Sequence, residues 1–142
     1  MRIPTALLLT APLLAGCSLS EIRHRPLASP ERAAVDAAVE LIRRTGFEAE
    51  AALLEGFNER GKIRAADGLT DAEMYEKTYA GFVTLAEWIH VRSSLLEPGS
   101  PRTLGSWLVH SARHAMGDGE SAARLAQFEF ELRTFNLERP PK

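Results

Sequence analysis

The sequence predicts an all-α protein, a small bundle of four to five helices behind a cleaved leader and a short tether. Three observations carry that expectation. Apolar residues recur at i, i+3, i+4 and i+7, as Val35, Ala38, Val39 and Ile42 do, which is the spacing of a stripe buried along one helix face. Helix-start chemistry stands at Ser29-Pro30-Glu31 and at Thr70-Asp71-Ala72-Glu73, and glycines suited to helix ends follow at Gly61 and Gly117. Only Phe128–Leu132 alternates like a strand, and a lone strand has nowhere to put its backbone hydrogen bonds.

Residues 1–16 put Arg2 ahead of an apolar run too short to cross a bilayer, which takes roughly 20 apolar residues, and Pro12 would break a buried helix. A basic start, a short apolar core and small residues before a cut site describe a secretory signal peptide. Its end, Leu14-Ala15-Gly16-Cys17, resembles the lipobox of bacterial lipoproteins. The resemblance covers only the leader. It implies cleavage before Cys17, a diacylglyceryl thioether on that cysteine and acylation of the new N-terminus by a chain such as palmitate. By the same family's sorting rule Ser18, which is not Asp, implies an outer membrane, with the domain facing the periplasm. Cys17 is the only cysteine, so the mature domain has neither disulfide nor Cys-ligated metal.

Residues 17–29 read as the lipidated cysteine and a tether, because Ser18 to Ser29 shows no apolar period and carries Pro26. Those twelve residues reach at most about 40 Å. The bundle domain is expected over 30–138, with a tail at 139–142. Its first stripe continues through Gly46, Ala49, Leu53 and Phe57, so one helix from 31 to about 60 with a hinge at Gly46 fits as well as two. A helix from the Thr70 capping box to about Glu97 carries Tyr75, Phe82, Leu85 and Ile89 on one face. A shorter one from about Thr103 to Met116 turns Leu104, Trp107, Leu108, Ser111 and Ala115 inward. The last, from Ser121 to about Leu137, has two apolar stripes. Leu125, Phe128, Leu132 and Phe135 are assigned to the core, which leaves Ala123, Ala126, Phe130 and Leu137 either under neighbouring helices or on a contact surface. The shallow alanines and acidic surroundings favour the contact surface, with self-association through Phe130 and Leu137.

Few residues invite chemistry. His110 and His114 stand at i and i+4 on one helix face, a spacing that lets two imidazoles reach one ion, and Glu87-x-x-His90 resembles half of the motif of di-iron bundles without its remaining ligands. Helical phase favours a plainer reading: His90 stands at the edge of its stripe and His110 and His114 flank Trp107, so all three read as boundary histidines whose rings cover apolar neighbours while a nitrogen meets water. The "GDGES" segment has phosphate-loop glycines, but Asp118 and Glu120 would repel an anion. No nucleophile elbow is present. Without residues 1–16 the chain carries 16 basic against 19 acidic side chains, since only Arg2 of 17 is lost, and nothing suggests a nucleic-acid partner.

The expected function is that of a membrane-anchored envelope lipoprotein. Its helical domain would serve as a protein-interaction or structural module, with no enzyme activity and no cofactor. The alternative is a metal-binding envelope lipoprotein using His110 and His114 with His90 or a carboxylate.

Overall fold

The structure, a computed structural model, describes residues 23–68, 88–97 and 99–138. The leader, Cys17 and the segment from Thr70 to Glu87, with its capping box, lie outside the described residues. The order of elements is β1 (His24–Pro26), α1 (Ser29–Arg44), α2 (Glu48–Glu59), β2 (Ile63–Ala66), β3 (Ile89–Arg92), a 3-10 turn (Ser93–Leu95), α3 (Pro101–Ala115) and α4 (Glu120–Glu138). The described chain is therefore mostly helical, as predicted, but it also holds a three-stranded sheet that the sequence does not announce.

That sheet corrects two expectations. Its order is β1-β2-β3, with β1 antiparallel and β3 parallel to β2, pairing Arg25 with Ala65 and Ala65 with Val91. Residues 24–28, assigned to the tether, belong to the fold: β1 forms an edge where Pro26 is tolerated, and Leu27 is buried in the core. Arg25 forks onto Glu31 at 2.6 and 2.9 Å and reaches Asp67 at 2.8 Å, so one guanidinium joins β1, α1 and the loop after β2. Residues 89–96 do not continue a helix. Ile89 and Val91 alternate with His90 and Arg92, and the two β-branched residues bury opposite Ile63 and Ala65.

The first stripe is carried by two helices. Thr45 donates its hydroxyl to the carbonyls of Leu41 and Ile42, and Gly46 turns the chain at φ +93°, a backbone state that side chains disfavour. α1 starts beside Ala28, whose N–H donates to Glu31 at 2.8 Å, and not with Ser29 as its cap. α3 starts at a Ser100 cap with Pro101 behind it. It turns Leu104, Leu108, Val109 and Ala112 inward, while Trp107 faces outward at 37% exposure, contrary to its assignment to the core.

α4 is helical, as predicted, but rotated the other way. Ala123, Ala126, Phe130 and Thr134 are buried, whereas Leu125, Phe128, Leu132 and Phe135 are 49–68% exposed. Phe130 therefore cannot serve a self-association surface, and of that expected pair only Leu137 is exposed. The cause lies in α3. Gly105 leaves a slot for the Phe130 ring, since a Cβ there would stand 2.8 Å from its Cζ, and the ring also meets Phe47 edge-on. Small Ala123 and Ala126 let the backbones approach, and Arg102 ties Thr134 and the Glu131 carbonyl. A face of two phenylalanines and two leucines does not fit that slot.

Candidate metal centre

α3 ends at Ala115, and Gly117 at φ +97° reverses the chain into α4. This short return brings Glu120, in the first turn of α4, over the last turns of α3, where His110 and His114 share a face. The Nε2 atoms of the two histidines are 3.1 Å apart. One Glu120 oxygen lies 2.9 Å from that of His114 and 3.3 Å from that of His110. Donor atoms on a tetrahedral ion at about 2.0–2.1 Å stand about 3.3–3.4 Å from one another, so three protein atoms already sit near ligand spacing.

The surrounding hydrogen bonds determine which ring nitrogens carry protons. His114 Nδ1 lies 3.0 Å from the Asp118 carbonyl, which only accepts, so His114 donates there. His110 is set by a longer relay. The Ser106 hydroxyl donates to Glu131 at 2.5 Å and therefore accepts from the Gln127 amide nitrogen at 3.0 Å, which turns the Gln127 oxygen to His110 Nδ1 at 2.8 Å. Both imidazoles thus hold their proton on Nδ1. Their Nε2 lone pairs then converge with a carboxylate oxygen, an arrangement of three acceptors that one cation reconciles. A proton on one Nε2 answers part of it; a metal ion answers all of it. Outer partners on Nδ1 are the usual support of metal-ligating histidines.

Electrostatics agree with an anionic Glu120. Partial burial raises its pKa, but the hydrogen bond from Arg124 at 2.7 Å holds the carboxyl below its ordinary value, and the two neighbouring histidines add to this only when a proton sits on Nε2. Two imidazoles with one carboxylate suit zinc, iron, copper or nickel, whereas calcium and magnesium prefer oxygen donors.

His90, the third histidine considered as a ligand, is elsewhere. It lies in β3 with its ring centroid 4.8 Å from that of His24, and its Nε2 is buried without a hydrogen-bond partner among the described residues. Burial first, then the charges of His24 and Arg64, push its pKa down to about 4. Glu87 lies outside the described residues. The carboxylate that joins the histidine pair is Glu120, which in the sequence counts only against phosphate binding. A signal for it exists in the spacing His110-x3-His114-x5-Glu120 across a glycine turn, since a tight reversal returns the next helix to the same face.

No protein family, curated protein or solved structure matches this chain.

Proposed function

We propose that this is an envelope-anchored protein whose helical domain binds a divalent transition-metal ion, of the zinc type, through His110, His114 and Glu120. The observation that carries the reading is the convergence of three lone-pair donors within 3.3 Å of one another, with both Nδ1 protons committed outward. It departs from the expectation of no cofactor and takes up the alternative reading's pair, His110 and His114. The anchor is the lipid on Cys17, which leaves only residues 18–23 before β1, a reach of about 20 Å. The domain would work close to its membrane.

The test is a thermal unfolding titration of the purified full chain with zinc. Binding to the native state at 100 times Kd raises its stability by about 2.7 kcal/mol. The same titration of His110→Ala and of Glu120→Gln should show no such rise. An equal rise in both variants would refute the site.

A second reading, that the domain is an interaction module, is favoured by the row Leu125, Phe128, Leu132 and Phe135, which leaves one side of α4 apolar and exposed.

A further inference from the structure

His110, His114 and Glu120 leave a tetrahedral ion one ligand short. Among the described residues the group has no fourth His, Cys, Asp or Glu. Structural zinc sites are closed by four protein ligands, and sites that exchange ligands or catalyse keep one position for water or substrate. The open side is also defined. The His114 side chain is 5% exposed and lies on the enclosed side, whereas His110 and Glu120 form part of the wall of an open cleft of about 320 Å³.

The rest of that wall has a specific chemistry. Trp107 and Phe128 supply aromatic surface, at 37% and 58% exposure. Gln127 has both ends of its amide committed, to His110 and to Ser106, so it contributes little polarity to an incoming molecule. The charged residues are Glu120, Glu131 and Arg124, a net charge of −1 from two negatives and one positive. A bound dication changes that sum to +1. The cleft therefore repels an anion when metal-free and attracts one when loaded.

Resting on the metal-binding reading above, we propose that the loaded centre takes the carboxylate of a small organic acid as its fourth ligand, with the apolar body of that acid against Trp107 and Phe128. The carboxylate oxygen replaces a metal-bound water, which leaves intact, and no covalent or redox change is involved. The metal binds first, and by linkage the acid tightens the hold on the metal by the factor with which the metal promotes acid binding.

Cobalt(II) reports this step, because its visible bands change when the fourth ligand changes. The full chain is loaded with cobalt and titrated with benzoate and, separately, with acetate. Expected are a saturable spectral change with benzoate, affinity for benzoate at least about 10-fold above acetate, and a loss of about 10-fold for benzoate in Trp107→Ala and Phe128→Ala, with cobalt affinity unchanged in both. Bound cobalt whose bands ignore benzoate would mean a closed centre and would overturn this inference while leaving metal binding intact. Equal affinities for benzoate and acetate, or indifference to both substitutions, would remove the cleft from the proposal. Failure to bind cobalt, zinc or any other transition ion would overturn the metal reading itself.

Discussion

Phe130 and Phe128 are two residues apart in α4 and opposite in fate, one fully buried and the other 58% exposed. Truncation should separate them. Phe130→Ala removes the ring from the Gly105 slot and from Phe47 and is expected to cost about 3–5 kcal/mol, whereas Phe128→Ala should stay within about 0.5 kcal/mol; urea unfolding of both variants checks this. Another residue-scale prediction concerns acid. A histidine whose folded pKa is about 4, against 6.5 as its ordinary value, takes its proton in the unfolded chain first. Its contribution is therefore fully present above about pH 6.5 and is lost as pH falls toward 4, by up to about 3 kcal/mol in total. The Arg64 guanidinium and the His24 ring act in the same direction on it, and His24 is itself held below its ordinary value by burial and by Arg64. Glu31, held low by its hydrogen bond to Arg25, adds its own loss only on approach to 4.5 and below. Stability measured against pH should thus show a sloping phase between about 6.5 and 4 that His90→Gln makes shallower, with His24 supplying the remainder, and a flat profile there in the parent protein would contradict it. None of this is legible from one residue's neighbours in the sequence: His90 looks like a boundary residue until β3 places it beside His24.

At the scale of elements, the proposed metal site is a property of the α3–α4 hairpin and hence of its turn. Gly117 has a positive φ, and a Cβ there would meet nothing within 4 Å, so Gly117→Ala tests the backbone alone. It should cost about 1 kcal/mol or more of stability, and zinc affinity should fall further than that of a surface control, because the strained turn shifts Glu120 against the two histidines. Calorimetric titration with zinc decides the matter, and an unchanged affinity would show that the turn does not position the carboxylate. The two histidines were legible because i and i+4 place side chains on one helix face regardless of what lies beyond. Glu120 was not, because its approach depends on how tightly a glycine turn folds back. The strands were missed for a similar reason. Ile63–Ala66 is only four residues long, and its partners lie at residues 24–26 and 89–92, so no local periodicity marks the pairing.

For the whole molecule, the expected arrangement is a lipid-held N-terminus, a short reach to β1 and a metal-binding hairpin at the far end of the chain order. No helix of the described residues is long and apolar enough to cross a membrane, and the proposed membrane attachment rests on Cys17. Cys17→Ser should move the protein from the membrane fraction to the soluble fraction and raise the mass of its N-terminal fragment to that of an uncut leader. Unchanged membrane association and mass would end the lipoprotein reading. What the sequence alone determined is local: the helical character of most of the chain, the breaks at Gly61 and Gly117, and the pairing of His110 with His114. Each follows from hydrogen bonds and side-chain spacing within a few residues. Only the tertiary structure decided which of two apolar stripes on α4 enters the core, that residues 24–26 leave the tether for a sheet edge, and that Glu120 meets the histidines. Both stripes are apolar enough to be buried, but burial is won by fit to a remote surface. Here the single ring of Phe130 between small residues fills the slot at Gly105, and the bulkier face is left in water.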